Sequence, residues 1–453
     1  MFRILKTTRL LAALCVVAVL AGCPKTEQTP TPTEKTPVKS PAKTPELTPE
    51  LTPELTPELT PELTPELTPE LTPELTPELT PEKTPEKTPE TTPEKTPDET
   101  DPSKPLKQAE LLLELPDEYS TPDGMCLLPN GDVILAVPNV NSWLADVAED
   151  PQNAVQDPPP ALLKITKDNQ LEKYYDPPRH PETGTAFPFG MCIDPGGKNL
   201  YITDLQWFSN TADPGNKSRV LRIPLDENYD PAGDPVVVIE GIVVANAVII
   251  RDGYLYVSDT TMVPKQDPAD KTEPQISGIF RVKLEEEGTK LTLPSIEDPH
   301  LVAWIKTFNP DCTFGADGLT FDAEGNLYCG NFADGTIHKI AVADLGAGKE
   351  APIWTKADHM KCCDGIFYDA RTEKIYVADS IANAVQIVDP KDGSVQTLAV
   401  DEENDGTGGK LDQPCEVLVR GNEVIVSNMD FPLPGGVNQT WDKPYTISVI
   451  KLD

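Results

Sequence analysis

Along residues 106–453 the apolar and polar positions repeat one pattern six times. Each copy opens on a short apolar run, at Asp123-Gly124-Met125-Cys126, Phe189-Gly190-Met191-Cys192, Asn246-Ala247-Val248, Asp317-Gly318-Leu319, Asp364-Gly365-Ile366 and Glu416-Val417-Leu418. A turn such as Pro129-Asn130-Gly131-Asp132 or Arg251-Asp252-Gly253 follows, then a second run ending in a polar residue, as in Leu200–Asp204, Leu255–Asp259, Leu327–Asn331, Ile375–Asp379 and Val424–Asn428. Turn chemistry and β-branched content make these pairs hairpins. Third strands are predicted at Ala161–Thr166, Val220–Pro224, Gly278–Val282, Thr336–Ile340 and Ala384–Val388, with weaker outer strands at Val236–Glu240 and Val395–Val400. The Asp or Asn closing each second strand is expected to cap a turn.

Six equivalent four-stranded units without helical periodicity predict an all-β, six-bladed β-propeller over residues 106–453, because radial repetition protects all but short strand edges. Two packed β-sandwiches would not explain six equivalent starts. The last unit shows three strands, ending at Ile447–Leu452, so the segment Ala109–Leu115 is expected to supply its fourth and close the ring.

The chain before the propeller reads differently. Basic Arg3, Lys6 and Arg9 precede an apolar run, Leu10–Leu20, too short to span a bilayer, which has the layout of a secretory signal over residues 1–22. Leu20-Ala21-Gly22-Cys23 resembles the lipobox of bacterial lipoproteins, which implies acylation of Cys23 and a lipid-anchored place in the bacterial cell envelope, at the outer membrane or cell surface. Residues 23–105 contain fourteen tetrads that begin Thr-Pro, nine of them Thr-Pro-Glu-Leu. Proline at every fourth position excludes helix and sheet, so a disordered, polyproline-like stalk is expected, on the order of 250 Å if fully extended.

With 74 acidic against 38 basic residues and a net charge of −36, nucleic acid is excluded as a partner and small cations are favoured. Seven cysteines remain after Cys15 and Cys23 are set aside, an odd number that leaves at least one thiol free. None has zinc-site spacing with a histidine.

Asp123, Phe189, Asn246, Asp317, Asp364 and Glu416 occupy the equivalent position at the start of each first strand, where a propeller narrows to its axis. Four carboxylates and an amide converging there need a compensating cation, and an all-oxygen donor set selects calcium, with magnesium or manganese behind it. The expected ligands are Asp123, Asn246, Asp317, Asp364 and Glu416, and Cys363 and Cys415, one residue earlier, should point away by strand alternation.

On these residues the chain resembles the senescence-marker and gluconolactonase family, which includes regucalcin, six-bladed propellers with an axial divalent metal, some of which hydrolyse lactones. Asp123, Asn246 and Asp317 stand at the positions of the family's metal ligands, Asp123 one methylene shorter than the glutamate the family has there, and Ala316–Tyr328 is the best-matching stretch. The second blade departs, with Ala186, Pro188 and Phe189 where the family places polar substrate-binding residues. The long loops Asn139–Pro160, Leu205–Ser218, Thr260–Ser277 and Met429–Pro444 should overhang the ring and bring Trp143, Trp207, Phe208, Phe431 and Trp441 to its rim.

The resemblance and the ring together imply a metal-dependent lactonase or esterase in which Asp317 or Asp364 takes the proton. The alternative is a non-catalytic surface propeller similar to the NHL or YVTN repeat proteins, binding a protein or glycan. Either is expected to be a monomer.

Overall fold

A computed structural model describes residues 106–211, 215–263, 265, 270, 272–292, 296–355 and 359–453. The expected signal, lipid site and stalk lie outside the described residues. What is described is all-β apart from one helix and two single-turn 3-10 segments, and it forms a six-bladed propeller.

Blade 1 runs from its inner strand Met125–Leu127 through Val133–Val137 and Ala161–Ile165 to Leu171–Tyr175. Blades 2, 3 and 5 repeat the order from inner strands Pro188–Ile193, Ala245–Arg251 and Ile366–Asp369. Blades 2 and 3 each gain a short parallel fifth strand, Thr289–Lys290 and Lys349–Glu350. Blade 4 has three strands, Ala316–Phe321, Leu327–Asn331 and Thr336–Ile340. An irregular segment covers its outer edge, with Trp354 N donating to Ile337 O at 2.7 Å and a single bridge between His338 and Ile353. As expected, Ala109–Glu114 pairs antiparallel with Thr446–Lys451 and completes blade 6. Inner strands then touch in the cyclic order of the blades, the sixth against the first.

The core follows from this geometry. Middle strands are covered on both faces, so they read as continuous apolar runs instead of alternating ones. In blade 1, Val133, Leu135 and Val137 pack with Leu418, Ile425 and Ile447 of blade 6, while Ile134 and Ala136 pack with Leu200 and Ile202 of blade 2. Equivalent clusters lie between every other neighbouring pair of blades.

Two local readings change. The loop after the second strand of blade 1 contains a helix, α1 (Val140–Glu149), which buries Val140, Trp143, Leu144 and Val147. Those positions have helical spacing, masked in the sequence by the β pattern on either side. The residues closing the second strands do more than cap their own turns, as Asp379 does by accepting from Ala382 N at 3.2 Å and Asp259 by accepting from Thr261 N at 3.4 Å. They clamp the chain entering the same blade: Asp204 accepts from Phe187 N at 2.9 Å, Asp259 from Val243 N and Val244 N at 3.0 and 2.9 Å, Asp379 from Cys362 N at 2.9 Å, and Asn428 from Asp412 N at 3.1 Å. Asn139 does the same for Ser120 N in blade 1, whereas Asn331 binds the end of blade 3 through Thr307 and Lys306. All seven cysteines of the propeller are free thiols.

Candidate functional site

The inner strands of blades 2, 3, 4 and 6 shift register at the axial residue, between Pro188 and Met191, Ala245 and Val248, Ala316 and Leu319, and Pro414 and Glu416. Such a bulge breaks the pleat and re-aims one side chain. The glycine after the axial residue has a matching purpose. None of Gly124, Gly190, Gly318 and Gly365 has positive φ, so turn formation is not what selects it. A Cβ on Gly124 would sit 2.3 Å from Phe189 O, on Gly190 2.4 Å from Asn246 O, and on Gly318 2.4 Å from Asp364 O. Glycine lets each inner strand lie against the next blade at the narrowest point of the ring.

Asp123, Phe189, Asn246, Asp317 and Asp364 thus come together at one end of the axial channel, on a cavity of about 80 Å³. Asn246 Nδ2 donates to Asp317 Oδ2 at 2.7 Å. The Asp317 and Asp364 carboxyls also hydrogen-bond each other, and Ser380 Oγ donates to Asp364 Oδ2 at 2.8 Å. No Lys, Arg or His lines the cavity. Burial alone pushes Asp123 up to about 7, and burial followed by the other ring carboxylates pushes Asp317 and Asp364 well above the usual carboxylate range.

Glu416 is placed differently. It lines the cavity at the opposite mouth of the channel, with Val248, Leu319 and Leu418, and its Oε1 accepts from Val417 N at 2.9 Å. Register accounts for this: Pro414 pairs with Asn428 and Val417 with Val426, as Ala316 pairs with Asn331 and Leu319 with Cys329, so Cys415 holds the axial position of blade 6 and Glu416 stands where blades 4 and 5 have glycine. Cys415, expected to face away, therefore turns toward the ring: its thiol contacts Pro122 O at 3.2 Å and the Asp123 carboxyl. Cys363 behaves as expected and packs between blades 4 and 5.

The cavity walls come from loops on the expected face. Trp207 and Phe208 enter from blade 2 and Phe431 from blade 6, and Phe208 stacks on Phe189 with ring centroids 6.0 Å apart. Trp143 is not at the rim. It is buried on α1 among Leu144, Val147 and Phe187, with Nε1 donating to Phe208 O at 2.8 Å, so it supports the wall from behind. Trp441 does not line the cavity either. Both tryptophans sit in the expected loops, but loop membership does not fix which way a ring turns.

Sequence reasoning missed Leu205, Val244, Thr260, Phe314, Phe332, Met429 and Leu433. Four of these were accessible to it. Leu205, Thr260, Phe332 and Met429 each directly follow the Asp or Asn that ends a second strand, so the register of the repeat marks them.

The donor set of Asp123, Asn246, Asp317 and Asp364 suits a hard divalent cation, being all oxygen, buried and without a basic partner in the cavity. Among the described residues, no group of three or more His, Cys, Asp or Glu is already arranged to hold a metal ion. The ring side chains hydrogen-bond to one another instead, and holding a cation requires the Asn246–Asp317 and Asp317–Asp364 bonds to open.

The chain matches no family model and no curated protein. Among solved structures it is similar to an aldose sugar dehydrogenase from Streptomyces coelicolor in its pyrroloquinoline quinone-bound form, at 14% identity and TM-score 0.47 over 77% of this chain and 99% of that one. It is also similar to a luciferin-regenerating enzyme, at 10% identity and TM-score 0.47 over 77% and 97%. A protein provisionally described as a gluconolactonase aligns at 16% identity and TM-score 0.42 over 76% and 92%. Likeness of this degree transfers no residue roles to this chain.

Proposed function

We propose that this protein is a divalent-cation-dependent hydrolase of a small lactone or ester, with calcium as the cation, held in the bacterial envelope by a lipid on Cys23. The observation that carries the reading is the placement of three carboxyls and an amide on the floor of an aromatic-walled cavity that contains no cationic side chain. Asp123, Asn246, Asp317 and Asp364 would hold the cation. When bound, a divalent cation polarises a carbonyl and lowers the pKa of a bound water.

The remaining chemistry belongs to the chain. Before a cation enters, Ser380 fixes one oxygen of Asp364, Asn246 fixes one oxygen of Asp317, and the facing oxygens share a proton that a cation would displace. Burial and the neighbouring carboxyls raise the proton affinity of both, so whichever of Asp317 and Asp364 the cation leaves uncoordinated would take the proton of the attacking water. Phe189, Phe208 and Phe431 keep bulk solvent from the reacting atoms.

The test offers the full chain, in detergent, a panel of aldonolactones, alkyl lactones and aryl esters with calcium, magnesium, manganese or zinc. Turnover is expected with calcium, and Asp317→Asn or Asp364→Asn is expected to lower it about 10²-fold, the scale of losing a positioned base. Absence of metal-dependent turnover across the panel would replace this reading with a binding propeller.

A further inference from the structure

A second cavity opens at the opposite mouth of the axial channel. Its volume is about 460 Å³, several times that of the axial site and within the range of small-molecule pockets. All six inner strands contribute to it, and its wall is apolar, with Leu127, Ile193, Ile250 and Phe367 only partly buried there. One carboxylate interrupts the wall, that of Glu416, which is also only partly buried. Its Oε1 is fixed, accepting from Val417 N at 2.9 Å and lying over Gly365, where a Cβ would stand 2.2 Å away. Oε2 accepts no hydrogen bond among the described residues and is not a buried atom, so a ligand can reach it. The other polar side chains of the wall are engaged. Arg251 lies over the Phe321 ring at 5.6 Å, pairs with Asp252 at 3.5 Å and donates to Asp322 O at 3.3 Å, and Thr320 Oγ1 accepts from Tyr368 N at 3.0 Å. The charges acting on Glu416 are acidic, those of Asp123 and Asp317 along the channel.

We infer that this mouth binds an organic ammonium with an apolar body, a small tertiary amine, through the free oxygen of Glu416. A metal ion does not suit it, because a hard divalent cation takes about six to eight oxygens and a single carboxylate stands here among hydrocarbon. A neutral ligand leaves the carboxylate without a counter-charge, and an anionic one adds to the acidic field. A tertiary ammonium brings one N–H to one free oxygen, and its apolar body gains by leaving water for the walls. A primary ammonium would press two further N–H groups against apolar side chains.

The probe is N,N-dimethylbenzylamine, protonated at neutral pH, titrated into the full chain in nonionic detergent and followed by calorimetry. Binding is expected, with benzyl alcohol, which has the same ring and no charge, at least about tenfold weaker. Glu416→Gln is expected to weaken the amine at least about tenfold, the scale of losing a hydrogen bond between charged partners. It should melt no lower than wild type, because the amide oxygen still accepts from Val417 N and one like charge leaves the channel. Phe367→Lys places a cation at the partly exposed rim and keeps Glu416, so it decides the matter should Glu416→Gln fail to fold; it is expected to weaken the amine at least about threefold. Phe431→Ala, in the axial cavity, should leave the affinity within about twofold of wild type. No binding of the amine to the folded wild type, equal affinity in Glu416→Gln or Phe367→Lys, benzyl alcohol binding as tightly as the amine, or a loss in Phe431→Ala matching that in Glu416→Gln would each overturn the inference. The two cavities share no lining residue, so absence of metal-dependent turnover would end the hydrolase reading and leave this one standing.

Discussion

The axial residues settle a conflict between burial and charge. Asp123 is held at about 7 by burial, and Asp317 and Asp364 are held well above the usual carboxylate range by burial and by the other carboxyls each faces. A carboxyl that is more basic folded than unfolded favours the fold while protonated. Its stabilisation is therefore complete below about pH 4 and is lost as pH rises through about 7. A cation reverses the slope, since it needs the ionised form. With chelator, the melting temperature is expected to fall between pH 5 and pH 8; with calcium the fall should vanish, so the calcium-induced rise is larger at the higher pH. Asp317→Asn should remove most of that difference. Melting curves indifferent to calcium at both pH values would count against the axial site. The glycines beside these residues have a separate test. Gly318→Ala places a Cβ 2.4 Å from Asp364 O, a backbone atom that cannot swing aside. The substitution is expected to cost about 3 kcal/mol in chemical denaturation, while Gly253→Ala, which meets nothing within 4 Å but has positive φ, should cost nearer about 1 kcal/mol.

At the scale of elements, each blade is a hairpin tied to its own entrance by the residue that ends the second strand. Asp379 holds Lys361 N and Cys362 N and also accepts from Gln386 Nε2 at 3.0 Å. Asp379→Ala strands both amides in a buried place, so about 3 kcal/mol of destabilisation is expected, with Asp379→Asn recovering part of it. A variant as stable as wild type would mean the clamp is redundant. These clamps show what the sequence made legible and what it hid. The six starts, the turns and the closing segment Ala109–Glu114 are local signals, because strand period and turn chemistry depend on neighbours in sequence. The bonds of Asp259 and Asp379 to the adjacent turn are local and legible, but their second partners lie about sixteen residues upstream, beyond a local reading. Glu416 and Cys415 exchange places for a related reason: the acid in Cys415-Glu416 suggests the wrong register, whereas pairing to the second strand puts Cys415 at the axial position and Glu416 one residue beyond it. Trp143 was assigned to the rim because helical spacing was not sought inside a loop, although Val140, Trp143, Leu144 and Val147 carry it.

At the scale of the whole molecule, a ring closed by a non-covalent joint has one strand pair on which every blade depends. That joint is Ala109–Glu114 on Thr446–Lys451, from Ala109 opposite Ile450 to Glu114 opposite Thr446. It is supported by Leu115 N donating to Tyr445 O at 2.8 Å and by Leu115 in the cluster shared by blades 6 and 1. The axial site straddles the same seam: Ser427 Oγ of blade 6 donates to Asp123 O of blade 1 at 2.8 Å. Removing residues 109–114 should therefore act twice. It leaves the edge Thr446–Lys451 unpaired, which invites association between chains, and it loosens the wall that sets Asp123 beside Asp317. The deleted chain is expected to melt well below wild type, to elute partly as oligomers, and to lose calcium-dependent stabilisation before it loses blade structure by circular dichroism. A synthetic peptide of residues 107–116 should pair with the vacant edge and recover part of both properties, because strand addition supplies the missing ladder without a covalent link. If the deleted chain melts and binds calcium as the wild type does, closure by this strand is not what holds the ring, and the contacts between the inner strands of blades 6 and 1 suffice.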